Sequence, residues 1–310
     1  MFVSVDGVRL FVDVEGAGLV PDGGAMREKP TLLLLHGGPG FDHSSFKPLF
    51  SGLSDVAQVV YYDHRGNGRS EDGDRSAWTL AQWGDDVKGL CDALGLVRPI
   101  VLGMPWGGYV AQSYATRYPD HPGKLVLVST AAKVEFPPIF ESFARLGGPE
   151  AARVAEAYWM APTAESRAEF IRLCGPLYRR TPSDPEAMRR VPIRHDTALH
   201  FNGPANELRR MDFRSALAGI RCPVLVMAGD RDPVSPIAFG ETIVASLPSD
   251  RVRFERFAGC GHGVFGDAPE RAFAVLREFI GTPSRPDRSS GADLRSIASF
   301  RGRAAEPGMR

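Results

Sequence analysis

Short apolar runs, each stopped by glycine or a polar residue and followed by helical spacing, constrain this chain more than any other feature. Thr31–Leu35 is almost continuously apolar and stops at His36 and two glycines. A run apolar on both faces suits a strand buried between two layers of helices. Residues 59–62 repeat the pattern and stop at Asp63, and residues 99–102 lead into helical spacing over 106–118. Residues 125–128, 224–228 and 252–257 read as further strands. Residues 79–94 read as a helix, with Thr79 and Gln82 as a capping box and Gly95 past the last turn. A closing helix over 267–280 carries a similar box in Asp267 and Glu270. Near the start, residues 2–5 and 9–14 flank Asp6-Gly7, the signal of a hairpin. This rhythm predicts an α/β fold with a mostly parallel sheet, an N-terminal hairpin and helices on both faces.

The rhythm breaks between about residues 132 and 211, which are rich in Ala, Arg, Glu and Pro with helical spacing and no strand signal. A helical insertion between two halves of a sheet reads as a lid. The expected organisation is a core over 1–131, a helical lid over 132–212, a second core part over 213–281, and a flexible tail over 282–310. The tail is rich in Ser, Arg, Gly and Pro. Lys+Arg 37 balances Asp+Glu 37, so no basic footprint exists for a phosphate backbone, and nucleic acid is not an expected partner. The apolar runs are strand-length, too short for a membrane span. The first residues lack the basic and apolar regions of a signal peptide. Cys91, Cys174, Cys222 and Cys260 are scattered without metal-ligand spacing. They read as reduced thiols of a cytoplasmic protein. No metal and no cofactor is expected; the expected partner is a small molecule, with oligomeric state left open.

Four segments that follow strands carry the chemistry. Open parallel sheets place their sites at the carboxyl ends of strands. The first is His36-Gly37-Gly38-Pro39-Gly40, whose glycines leave N–H groups free for an oxyanion, although alone it reads as a tight turn. The second is Gly103-Met104-Pro105-Trp106-Gly107-Gly108. The third is Gly229-Asp230-Arg231-Asp232, and the fourth is Gly261-His262-Gly263. An acid and then a histidine, each just past a strand, match the last two members of a hydrolase triad. A lone histidine is more often structural, but His262 has glycines on both sides and an acid upstream in the matching slot.

Together these segments resemble the α/β-hydrolase superfamily, and within it the proline iminopeptidase-like branch. The resemblance runs from about residue 2 to residue 280. It is carried by His36 to Gly40, by the segment Asp63-His64-Arg65-Gly66-Asn67-Gly68-Arg69-Ser70, by Trp106-Gly107-Gly108, and by Asp232 and His262. It implies an oxyanion hole from backbone N–H groups near Gly37 or Gly38 and at Trp106. It implies that Asp232 orients His262, and that Asp63 to Ser70 support the floor of the site. Lids of this branch use acidic residues to hold a substrate amine. Glu135, Glu141 and Glu169 stand where such residues could be, and a solvated helix face explains them equally well.

The resemblance also places the nucleophile, normally serine, at position 105, where this chain has Pro105. Proline has no hydroxyl and cannot form an acyl-enzyme. Its φ is fixed near −65°, whereas a nucleophile elbow needs a positive φ. Proline at the first position of a helix is favourable, so the elbow is expected to be relaxed. Replacement nucleophiles are Cys260, Ser44, Ser45, Ser129 or Thr130, each with an ordinary structural reading. Three functions follow. The first is an enzyme in which His262, held by Asp232, is the general acid or base for ring closure or opening, elimination, decarboxylation or water attack. The second is a catalytically dead homologue that binds a ligand or partner. The third is a serine peptidase or esterase carrying a Ser-to-Pro replacement. The lid aromatics Phe136, Phe140, Phe143, Tyr158 and Trp159, with Met160, suit a medium-sized, partly apolar organic substrate.

Overall fold

The structure, a computed structural model, describes residues 1–182, 184–202 and 207–283. In chain order the first strands are β1 (Phe2–Val5), β2 (Val8–Glu15), β3 (Leu19–Asp22), β4 (Ala25–Glu28), β5 (Thr31–Leu35) and β6 (Gln58–Tyr62). Then come α1 (Leu80–Leu94), β7 (Ile100–Gly103), α2 (Trp106–Arg117) and β8 (Lys124–Val128). Five helices follow without a strand: α3 (Phe136–Met160), α4 (Ala164–Leu173), α5 (Pro185–Arg190), α6 (His195–Asn202) and α7 (Arg214–Leu217). The chain then returns to the sheet with β9 (Val224–Gly229), α8 (Ile237–Ser246), β10 (Val252–Phe257), α9 (Val264–Asp267) and α10 (Pro269–Gly281).

Eight strands form one sheet in the order β1-β2-β6-β5-β7-β8-β9-β10. β1 and β2 are antiparallel to each other, β2 is antiparallel to β6, and every later pairing is parallel. Side chains alternate across a strand, so each apolar run feeds two cores. Leu33, Leu35, Val60, Tyr62 and Val101 pack with Trp83, Val87 and Val110 of α1 and α2. Leu32, Leu34, Val59, Tyr61 and Leu102 pack on the other face with Phe50 and with Leu276 and Phe279 of α10. All four cysteines are free and buried. No described helix is long and apolar enough to cross a membrane.

Several local expectations need correction. β3 and β4 form a separate two-stranded sheet that residues 15–28 did not announce, because both strands are largely exposed and show no apolar alternation. Thr79 does cap α1 by accepting from the Gln82 N–H at 3.1 Å, and Gly95 takes φ 66° at the far end. The reciprocal half of the box is missing, since the Gln82 amide donates to Asp6 and Asp86 instead. α3 is broken where Gly148 adopts φ 79° ahead of Pro149. The tail expected from residue 282 lies outside the described residues beyond residue 283.

The second capping box is absent. The closing helix is split, and α10 starts after Ala268 with no side-chain cap. The Asp267 carboxylate instead accepts from the N–H groups of Gly261 (2.7 Å), Arg180 (3.0 Å) and Thr181 (3.0 Å), and from the Thr181 hydroxyl (2.8 Å). It therefore joins the loop after β10 to the chain beyond α4. Burial alone would raise its pKa, but these donors hold it below the usual aspartate value. A depressed carboxylate stabilises the fold above its unfolded pKa, and that contribution disappears as pH falls through the lowered folded value. At neutral pH the tie is therefore complete. In Asp267→Ala, the Gly261, Arg180 and Thr181 amides should exchange hydrogen about tenfold faster or more, while amides of β9 and β10 keep their rates. Unchanged exchange at those three amides would show that the carboxylate holds nothing.

Candidate active site

The turn between β7 and α2 is built on close approach. A Cβ on Gly103 would strike the Gly107 carbonyl, and a Cβ on Gly107 would strike the Leu35 carbonyl. The two glycines thus let α2 begin directly against β5 and β7. Between them Pro105 takes φ −67° and ψ −41°, helical rather than left-handed. Its carbonyl already accepts from the Gly108 N–H at 3.0 Å. The turn is a relaxed start of α2, as its fixed ring torsion requires. Trp106 is the first helical residue, and N–H groups of a first turn have no partner within the helix. The Pro105 ring lies against Gly37, where a Cβ would come within 2.9 Å of Pro105 Cδ.

The glycine turn after β5 is held from below. His36 Nε2 accepts from the His64 N–H at 3.1 Å, so the ring proton sits on Nδ1 and is donated to the Gly37 carbonyl at 2.7 Å. Burial pushes the pKa of both histidines down, which keeps them neutral. In a trans peptide the N–H points opposite to the carbonyl, so the Gly38 N–H turns away from His36. Asn67 fixes the far end by accepting from the Gly40 N–H at 2.8 Å. Arg65 makes a buried bidentate pair with Asp86 of α1 (2.6 and 2.9 Å). Asp42, His43 and Asp63 are buried and close enough together to suit a metal ion. Their oxygens, however, accept from protein donors: Asp63 from the N–H groups of His43 and Arg69, and Asp42 from Ser44 N–H and the Arg69 guanidinium. This network organises the loops after β5 and β6.

Asp232 and His262 meet beyond the ends of β9 and β10. Asp232 is 1% exposed. Its Oδ1 accepts from the N–H groups of Val234 and Ser235, both at 2.8 Å, and its Oδ2 lies 2.7 Å from His262 Nδ1. The buried carboxylate thus makes three hydrogen bonds, two of them to its own turn. The imidazole is thereby fixed with Nδ1–H toward Asp232 and Nε2 on the opposite side of the ring. The two loops are also joined by main chain, from Arg231 N–H to Cys260 O at 2.9 Å and Asp230 N–H to Phe257 O at 3.1 Å. The His262 N–H donates to Tyr178 O at 2.7 Å, and the Tyr178 ring meets the His262 ring edge to face at 5.3 Å. The His262 side chain keeps 11% exposure.

The helical insertion supplies the remaining walls. Phe201 of α6 packs on Trp106 at 4.8 Å and on Trp83 at 4.6 Å. Tyr158 is buried and stacks on Phe170 at 4.7 Å, and the buried Trp159 indole N–H has no partner. Phe140 is half-buried and stacks on Phe136 at 6.2 Å. Glu135 and Glu141 are exposed and line an open cleft of about 630 Å³ with Lys133, Phe136 and Arg209. That cleft includes no part of the Pro105, Asp232 or His262 segments, so these two acids stand apart from the histidine. Glu169 faces Arg153 on the outer surface. Among the replacement nucleophiles, Ser44 and Ser45 bond into the Asp42 turn. Cys260 is 4% exposed with its thiol pKa raised by burial. Ser129 and Thr130 carry buried hydroxyls without a partner. Asp267 and Tyr178 hold the site and were not singled out from sequence in that role: Asp267 showed only the signal of a helix cap and Tyr178 showed none, whereas Asn67 lay in the segment that the resemblance assigns to the floor.

The family model for the alpha/beta hydrolase fold matches residues 30–269. A protein of Caulobacter sp. (strain K31) assigned as a carbamate hydrolase is 30% identical over 267 residues, 83% of this chain and 93% of its own. A proline iminopeptidase of Clostridium botulinum is 30% identical over 268 residues, 81% of this chain and 90% of its own. The crystal structure of a Mycobacterium smegmatis proline iminopeptidase superimposes with a TM-score of 0.71 at 24% identity. It covers 90% of this chain and 97% of that one, and it shows the shared fold. The family model spans more than half of the chain and two relatives reach 30% identity over most of it, so the chain belongs to the α/β-hydrolase family.

Proposed function

We propose that this chain is an enzyme that works by acid–base chemistry without a covalent intermediate. His262, oriented by Asp232, moves a proton on a medium-sized, partly apolar organic molecule. The N–H groups of Gly37 or Gly38 and of Trp106 face the negative charge that develops. The observation that carries this reading is the pairing of a complete His262–Asp232 dyad with a relaxed turn at Pro105. A nucleophile is missing, yet the buried aspartate that would stabilise an imidazolium is kept and fully hydrogen-bonded. Such a partner has most value when the ring gains a proton during reaction.

In the proposed step, Nε2 takes a proton from a carbon acid or from water. The electron pair left behind moves onto the substrate and rests on an oxygen facing the N–H donors. The imidazolium keeps its Nδ1–H toward Asp232 and returns the proton when the product forms. Ring opening or closure, elimination and water attack fit this sequence, while decarboxylation uses its second half: carbon dioxide leaves, the electron pair rests on the oxygen facing the donors, and the imidazolium then protonates the carbon. The insertion over 132–212 acts as the lid that excludes water. The two 30%-identical relatives are named for different reactions, so neither substrate is carried over.

The base can be tested without the natural substrate. With 5-nitrobenzisoxazole as a proton-abstraction probe, the parent should accelerate ring opening, and His262→Ala should lose about a hundredfold or more of that rate. Asp232→Asn should fall with it. Equal rates in parent and His262→Ala would remove the proposed base. The turn can be tested separately. A fluorophosphonate should leave the parent unlabelled, while Pro105→Ser should form an acyl-enzyme with p-nitrophenyl acetate, seen by mass. That variant should be less stable by about 1–3 kcal/mol, the strain of a left-handed turn. Labelling of the parent at Ser44, Ser45 or Ser129 would instead reveal a nucleophile in another place.

A further inference from the structure

Three cations are buried among the described residues: Arg65, Lys124 and Arg167. Arg65 has its carboxylate in Asp86. Lys124 donates to the carbonyls of Phe279, Ile280 and Thr282 at the end of α10, where a cation complements the helix dipole. Arg167, on the inner face of α4, is 8% exposed and has no carboxylate partner among the described residues. One of its N–H groups donates to His195 Nδ1 at 2.8 Å, which requires that nitrogen to be unprotonated. A guanidinium has five N–H donors in a planar fork and cannot shed its charge. Left with neutral partners in a dry interior it is unfavourable, so an anion is the natural complement.

The groups around Arg167 are donors too. The guanidinium lies against the Tyr158 hydroxyl, whose oxygen accepts from Asn202 Nδ2 at 3.0 Å and whose proton remains to be given. The Tyr178 hydroxyl makes no hydrogen bond among the described residues, and its phenol feels the opposite charges of Arg167 and Asp232. Burial raises both phenols, so both stay protonated donors. Phe170, the other buried residue of α4, packs on Tyr158 and Tyr178. Tyr178 in turn lies on His262, so Phe170 and Tyr178 form an aromatic path from α4 to the proposed base.

We propose that the substrate is an organic acid, its carboxylate held by Arg167 with the Tyr158 and Tyr178 hydroxyls while its reactive carbon lies at His262. This rests on the reading of His262 as the base. A planar monoanion matches the fork and cancels one charge, whereas a phosphate dianion would leave a net charge buried. The specificity is the reverse of a lid built to hold an amine.

Binding of 3-phenylpropanoate and its neutral amide, measured by calorimetry, tests this. The parent should prefer the acid by about tenfold or more. Arg167→Gln should abolish that preference, and Arg167→Lys should retain part of it. His262→Ala should keep the preference, so loss of the base reading and loss of the acid site are separate results. The proposal is overturned if acid and amide bind the parent equally. It is also overturned if benzoate, 3-phenylpropanoate and 4-phenylbutanoate all fail to saturate, or if a folded Arg167→Gln still prefers the acid. Tighter binding of inorganic phosphate at the same site would replace the carboxylate assignment. If Arg167→Gln does not fold, the acid-to-amide ratio in the parent and in Arg167→Lys decides.

Discussion

The pyrrolidine ring of Pro105 fixes one torsion at the mouth of β7, and the rest of the site is arranged around the turn that this torsion sets. With φ at −67° and ψ at −41°, Pro105 adds a helical residue at the start of α2 and leaves no left-handed strain at that position. Gly103 and Gly107 keep α2 pressed onto β5 and β7, and Gly37 abuts the proline ring. Besides the glycines Gly38 and Gly40, a positive φ near the site belongs to Ser129, just past β8, at 48°. Its backbone is bound on both sides, by Met227 O at 2.9 Å and by the Ser235 hydroxyl at 2.8 Å, in the same loop that fills the Asp232 carboxylate.

Buried charges separate scaffold from site. Asp63, Asp86 and Asp232 are each surrounded by donors from short loops or from one arginine. Such groups tolerate burial because the fold supplies their hydrogen bonds on closing. Asp63 and Asp232 each also meet a histidine Nδ1, at 2.6 Å on His43 and 2.7 Å on His262, and the His262 pair is the one that stands beyond the ends of β9 and β10. Arg167 is a buried charge that, among the described residues, meets the unprotonated nitrogen of His195 and no carboxylate. The departures from complete pairing therefore cluster between the sheet and the insertion. That is where a protein that binds something else is expected to leave its polar groups unfinished.

The sheet was legible because strands buried on both faces write uninterrupted apolar runs, and all four site segments sit where those runs stop. The relaxed turn at Pro105 followed from one residue, since proline's torsion does not depend on context. Other features were hidden because their partners are remote in sequence. Asp267 looks like a helix cap locally, yet its acceptors serve N–H groups 86 and 87 residues away. Glu135 and Glu141 read equally as amine ligands or as a solvated face, because charge in a helix does not reveal which way the helix faces. Arg167 was invisible for the same reason, as one arginine in an insertion with many. β3 and β4 carry no apolar alternation at all, so only the geometry of the turn between them marks the hairpin.

The insertion is more than a cover on a finished sheet. Its Tyr178 carbonyl accepts the His262 N–H, and Asp267 binds Arg180 and Thr181 beside it. At the other end, the Arg194 N–H donates to Gly40 O at 2.7 Å, and the Thr197 hydroxyl donates to Gly66 O at 2.6 Å. The loop bearing the proposed base and the glycine turn bearing the proposed oxyanion donors are thus each held by the same helical unit. Loops at the rim of a sheet have few internal contacts and depend on such ties for a fixed geometry. It follows that the distance between base and oxyanion donors is set partly by the insertion, as well as by the strands beneath. A change in that unit would alter substrate fit and catalytic alignment together, which gives a family with a constant sheet a direct physical route to new reactions.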